Sequence, residues 1–284
     1  MLMKPNQKVV PTTFNAAATK TVRVNGTNFV YREIGNNSGI PVVFLHHLTA
    51  VLEDWDPAIA DGLAKSRPVI VFDNRGVGGS GGRTPDNVAD MAKDAIAFIG
   101  ALGLAKVDLF GFSLGAQIIA QERPDLVRRI ILAGTAPAGG EGIINVGAVL
   151  QDAIAKAGAE NKHPKPLLFF RPSKDSQKAA DAFLSRLSER KEDRDVAVTN
   201  EAIHAQVTAI TKWGMAATGS LGAIKQPVLV VNGDNDIMAP TINSVELARK
   251  LPNAELSIFP DAGHGAIFQY HDVFVDQALR FLQD

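Results

Sequence analysis

Val107 to Gln117 reads Val-Asp-Leu-Phe-Gly-Phe-Ser-Leu-Gly-Ala-Gln, an apolar strand that runs into Gly111-Phe112-Ser113-Leu114-Gly115 and then into a helical pattern. A serine at such a strand-to-helix turn is held in a strained backbone conformation. Its hydroxyl is raised above the sheet, and the N–H of the next residue, Leu114, lies at a helix N-terminus. The glycines on either side let strand and helix approach closely. Gly-x-Ser-x-Gly arises by chance in roughly one chain in ten of this length, so it carries weight here through its setting: a strand before it, and Ala116, Ile119 and Ala120 on one helical face after it.

A serine hydroxyl is a poor nucleophile at neutral pH and needs a base, which in turn needs an orienting acid. After an elbow serine the chain order should be acid and then histidine, each just beyond a later strand. The buried-strand pattern Pro227 to Val231 ends in Asn232-Gly233-Asp234-Asn235-Asp236, which offers two acids. The alternating strand Ala254 to Phe259 leads to Pro260-Asp261-Ala262-Gly263-His264-Gly265, which offers one histidine. Ser113, Asp236 and His264 thus follow the required order, each at the C-terminal end of a strand expected to be parallel, where open α/β sheets place their ligands. Asp234 is the other acid, expected to cap its loop or face solvent.

With these residues in place the chain resembles an α/β-hydrolase over nearly its whole length. Asp73-Asn74-Arg75-Gly76-Val77-Gly78-Gly79-Ser80 is similar to the family's D-x-R-G-x-G-x-S loop, and Leu45-His46-His47-Leu48 stands where the family has His-Gly followed by an oxyanion-hole residue. Gly233-x-x-Asp236 with Pro240 resembles the acid loop, and Gly263-His264 the terminal histidine loop. His47 departs from the family's usual glycine, and Ala116 from a common second glycine. The resemblance implies attack by Ser113, with His264 as base and then acid and Asp236 fixing its tautomer. The oxyanion would be held by the N–H groups of Leu114 and Leu48. It implies no metal or organic cofactor.

The nucleophile narrows the reaction. Family members with aspartate at the elbow open epoxides or displace halide, and Ser113 argues against both. The expected function is hydrolysis of a small-molecule carboxylic ester or lactone through an acyl-enzyme. Cofactor-free perhydrolysis or haloperoxidation, C–C bond hydrolysis and a non-catalytic ligand-binding role stay open as alternatives. The differences among them lie in pocket contacts that a single sequence does not display.

The elements that must position these residues follow the same pattern. Strand candidates are Thr21 to Val24, Asn28 to Arg32, Pro41 to Leu45, Pro68 to Phe72, Val107 to Phe110, Arg129 to Leu132 and the two named above. The first pair is joined by Asn25-Gly26, a tight-hairpin signal. Helical patterns cover Trp55 to Lys65, Pro85 to Leu102 with Thr84 as N-cap, and Leu114 to Glu122, stopped by Pro124. This alternation predicts an eight-stranded, mostly parallel, doubly wound α/β sheet. Residues 1–135 and 226–284 form the expected core. Ala136 to Lys225, about 90 residues without a convincing strand, is expected to be a helical cap, because a crossover needs only about a dozen. Its helices are placed at Asn145 to Ala159, Ser176 to Arg190 and Val198 to Trp213. Phe169, Phe170 and Trp213, with His47, are the candidate pocket residues.

Composition sets the outer bounds. The 284 residues are 46% hydrophobic, enough for a substantial core, and a net charge of −1 argues against nucleic-acid or membrane-surface partners. There is no cysteine, so neither disulfide nor thiol chemistry operates. The N-terminus lacks a signal-peptide core and no apolar stretch reaches about 18 residues, so a cytoplasmic monomer or homodimer is expected. His46 and His47 are adjacent at a strand end, so their side chains should diverge and not share a metal. His163, His204 and His271 stand alone and read as surface or packing residues. Lys4 to Lys20 reads as a loose arm.

Overall fold

The computed structural model describes residues 13–36, 38–113 and 117–283. Strands β1 (Lys20–Val24) and β2 (Thr27–Ile34) form an antiparallel hairpin. Its turn residues Asn25 and Gly26 have φ of +48° and +84°, the left-handed conformation that tight hairpins require. The remaining strands are β3 (Val42–Leu45), β4 (Val69–Phe72), β5 (Val107–Phe112), β6 (Val127–Ala133), β7 (Val228–Gly233) and β8 (Ala254–Phe259). All eight join one sheet in the order β1-β2-β4-β3-β5-β6-β7-β8. β2 runs antiparallel to both neighbours, and every other pairing is parallel.

Because successive side chains of a strand point to opposite faces, the central strands bury two cores at once. Phe44, Phe110, Phe112, Leu229 and Val231 enter one; Val43, Leu45, Leu109, Val228 and Val230 enter the other. The first face is covered by α1 (Pro57–Ala64), started by the N-cap Asp56 with Pro57 behind it. The second is covered by α2 (Val88–Ala101) and α3 (Gln117–Glu122). The cap of α2 is Asn87 rather than Thr84: its side chain accepts from the Asp90 N–H at 2.8 Å, while Thr84 Oγ1 donates to the Gly76 carbonyl.

Between β6 and β7 lie α4 (Val146–Ala159), α5 (Lys165–Phe169), α6 (Lys174–Leu187) and α7 (Asn200–Met215), with no strand. Their apolar faces join the first core: Leu150, Phe169, Phe183 and Ile210 belong to the same buried cluster as Phe112. The insertion is tethered by one acidic segment just after β3. Glu53 accepts from the buried Arg32 at 2.5 Å and from the Asp195 N–H at 2.8 Å, Asp54 pairs with Lys165, and Asp56 takes Arg186 at 2.8 and 2.6 Å. After β7, α8 (Ile242–Lys250) returns to the second face, and α9 (Ala266–Gln269) and α10 (His271–Phe281) to the first.

The arm expected to be loose is anchored where it is described. Phe14 is 2% exposed within the first core, and its N–H donates to Asp61 at 2.5 Å. Among the described residues no helix is long and apolar enough to cross a membrane.

Candidate active site

Ser113 follows β5 directly and has φ +67°, a costly conformation for a residue with a Cβ. Neighbours hold it there. Its N–H donates to the Ala133 carbonyl at 2.9 Å, and its carbonyl accepts from Thr135 Oγ1 at 2.5 Å, so the segment leaving β6 clamps the turn on both sides. Leu114, an expected oxyanion donor, lies outside the described residues.

Asp236 sits in the loop beyond β7. Its Oδ1 accepts from the N–H groups of Met238 (2.7 Å) and Ala239 (2.9 Å), which locks the carboxylate and leaves Oδ2 for His264 Nδ1 at 2.7 Å. A carboxylate offers no proton, so Nδ1 donates and Nε2 is left as the acceptor. Asp234 does other work: exposed, it accepts from the N–H groups of Asp261 and Ala262 at 3.0 and 3.2 Å and ties the acid loop to the histidine loop. The loop carrying His264 is also pinned to α5 through Gly265 N–H to the Phe169 carbonyl, 2.8 Å.

Ser113 and His264 line one cavity of about 470 Å³ between sheet and insertion. Leu48, Leu150, Ile154, Leu168, Phe169 and Met238 form its apolar walls. The Leu48 N–H has no partner among the described residues, whereas the next N–H, of Thr49, is taken by Gln206 Oε1 at 2.9 Å. His47 also lines the cavity, edge-on to Phe112 and Phe169 with ring centroids 5.2 Å from each. His46 does not line the cavity; its ring neighbours Trp55, and its Nε2 lies 3.3 Å from Asp73 Oδ1. Of the aromatic candidates, Phe169 lines this cavity. Phe170 does not and packs on Phe183 at 5.7 Å, and Trp213 lines a small neighbouring hollow that also touches Ser113.

The sequence model of the alpha/beta hydrolase fold matches residues 40–269. This chain is an α/β-hydrolase. It is similar to an alpha/beta hydrolase fold protein from Chitinophaga pinensis, whose structure superposes with a TM-score of 0.90 at 44% identity, over 96% of this chain and 99% of that one. The provisionally named carbamate hydrolase RutD of Agrobacterium fabrum is 28% identical over 240 residues, 80% of this chain and 87% of the relative. A non-heme haloperoxidase of Rhodococcus erythropolis is 26% identical over 280 residues, 91% and 97% respectively.

The polar end of the hydrolase's cavity was not foreseen. Asp54, His163, Lys165, Arg194 and Asp195 line it, so His163 is not the isolated residue its sequence context suggests. Burial alone would raise the Asp54 carboxyl, but Lys165 and then His47 bring it down to about 2, an ion pair closing core onto insertion. Asp195 and Asp73 hydrogen-bond through their carboxyls, which requires a proton between them. Burial first, then the hydrogen bond with Asp73 and after it their mutual repulsion, raises Asp195 to about 7, and burial raises Asp73 likewise. Gly134, at φ +54° just past β6, is a further unforeseen residue: a Cβ there would stand 2.9 Å from His264 Nδ1. A glycine directly after a buried strand was the available signal. For the polar end it was Glu53, Asp54 and Asp56 crowded beside an apolar strand.

Proposed function

We propose that this α/β-hydrolase cleaves a small-molecule carboxylic ester or lactone through an acyl-enzyme on Ser113. The observation that carries the reading is the 2.7 Å bond from His264 Nδ1 to an Asp236 carboxylate already fixed by two backbone N–H groups, behind a histidine that shares a cavity wall with a strained Ser113. In this reading Nε2 of His264 takes the hydroxyl proton as Ser113 attacks the carbonyl carbon, and Asp236 stabilises the imidazolium that forms. The tetrahedral oxyanion is held by the N–H groups of Leu48, which has no partner among the described residues, and of Leu114, each such donor contributing about 3 kcal/mol to the transition state. His264 then protonates the leaving oxygen. Water, deprotonated by the same imidazole, attacks the acyl-enzyme and frees Ser113. Every step uses side chains, backbone N–H groups and water.

In the same reading residues 136–225 are a cap that sets the acyl pocket. Support comes from Phe169, Leu150 and Leu168, which wall the cavity, and from the tethers of α5 and α6 to the acidic segment after β3. A relative named a haloperoxidase gives perhydrolysis on the same acyl-enzyme as a second reading, tested by acetate- and peroxide-dependent dye oxidation. The primary test is hydrolysis of short-chain p-nitrophenyl esters by the wild type and Ser113→Ala. Turnover should vanish in a folded Ser113→Ala protein; retained turnover would overturn the assignment.

A further inference from the structure

His47 stands where the family usually has a glycine, and the residue is 3% exposed in the wall shared with Ser113 and His264. Its Nδ1 lies 2.7 Å from the Leu48 carbonyl oxygen. Two acceptors do not approach so closely, so Nδ1 carries the proton and Nε2, at the far end of the ring from its own main chain, is a bare acceptor. That Nε2 is buried and has no partner among the described residues. The rings of Phe112 and Phe169 pack edge-to-face with the imidazole and offer it no donor. An unpaired acceptor in an apolar wall is unfavourable until something supplies a donor, and a site built this way rejects ligands that lack one.

We propose that His47 Nε2 is a specificity determinant that accepts a hydrogen bond from the acyl part of the substrate. The natural ester or lactone would therefore carry a hydroxyl or amide N–H on the carbon next to the scissile carbonyl or the one after it. The position follows from the cavity: His47 lines the same space as Ser113 and as Leu48, whose N–H is the proposed oxyanion donor, so the ring borders the place where the carbonyl would sit. Burial, with Lys165 adding to it, lowers His47 to about 3, so the ring stays an acceptor across the working pH range. The substrate class rests on the ester-hydrolase reading. The presence of an acceptor site does not.

Matched phenyl esters of butanoic, 2-hydroxybutanoic, 3-hydroxybutanoic and 2-acetamidobutanoic acids are compared by kcat/KM in the wild type, His47→Phe, His47→Leu and His47→Asn. The ratio of each donor-bearing ester to butanoate is the readout, which removes intrinsic differences in ester reactivity when wild type and variant are compared. At least one ratio should fall about tenfold or more in His47→Phe and His47→Leu, and less in His47→Asn, which keeps an acceptor. Unchanged ratios for all three donors in folded variants would overturn the proposal. The N-methyl amides of the four acids are titrated by calorimetry against Ser113→Ala, with and without His47→Leu, so the answer does not depend on turnover. A His47-dependent preference in binding, with no ester cleaved by the wild type, would keep the acceptor site and discard the ester reading. Cleavage with no such preference in binding or turnover would do the reverse.

Discussion

Replacing Gly134 with alanine tests whether His264 works from the position that Asp236 gives it. The new Cβ would stand 2.9 Å from Nδ1, 3.0 Å from Cε1 and 3.2 Å from the Phe112 ring. Comfortable contact begins near 3.5 Å, so the imidazole must retreat by about half an ångström. That movement stretches the 2.7 Å bond to Asp236 to the limit of a useful hydrogen bond. The φ of +54° adds about 1–2 kcal/mol of backbone strain, since only glycine adopts it freely. A displacement of about 1 Å in a catalytic group costs about 10²-fold, so kcat/KM on p-nitrophenyl butyrate should fall roughly 10- to 100-fold. The melting temperature should drop by only a few degrees, as expected for strain of this size. Gly100→Ala in α2 is the control: nothing lies within 4 Å of its Cβ, so activity should hold and stability should rise by about 0.5–1 kcal/mol. A folded Gly134→Ala protein with wild-type kcat/KM would refute the argument.

Asp236→Asn should lower kcat by about 10⁴-fold through the wrong histidine tautomer, whereas Asp234→Asn, which loosens only the tie to Asp261 and Ala262, should lower the melting temperature more than kcat. The reverse ranking in steady-state kinetics would reassign the acid. Phe169→Leu should change the ranking of short against long acyl esters, at roughly 1–3 kcal/mol per methylene, while Phe170→Leu, outside the cavity, should leave that ranking alone. A chain-length series on both variants decides it. The Asp73–Asp195 pair gives a pH prediction. Its folded proton affinity is raised, so its stabilising contribution is complete below about pH 4 and is lost as pH rises toward 7. Asp195→Asn replaces the shared proton with an amide donor, so its melting temperature relative to the wild type should climb across that window. A flat difference would mean that the two carboxyls do not share a proton.

The sheet was legible because its central strands bury both faces, leaving short runs such as Val-Leu-Val-Val in β7 bounded by Pro227 and Asn232-Gly233. The elbow, acid and histidine loops were legible for a related reason: each is a strand end followed by turn residues with few alternatives. Helix starts were less so. Thr84 and Asn87 are both good N-caps, and only the fold shows that Thr84 is already engaged by Gly76. Five-residue α5 is too short to show a period, yet it brings Lys165 and Phe169 to the cavity. Phe169 and Phe170 are neighbours, so they cannot share one direction, but nothing local says which faces the substrate. Phe14 was missed because a lone aromatic in a polar arm has no pattern, and its burial depends on residues far along the chain.

Whether Ser113 is the nucleophile and His264 activates it can be read from labelling with a serine-directed p-nitrophenyl phosphonate, followed by tryptic mass spectrometry. Ser113 is the sole serine in tryptic peptide 107–128, which contains no threonine or tyrosine, so the site of an adduct there is unambiguous. One adduct per chain should form on that peptide, orders of magnitude more slowly in His264→Ala and not at all in Ser113→Ala. An adduct on another peptide, or equal labelling rates with and without His264, would contradict these roles.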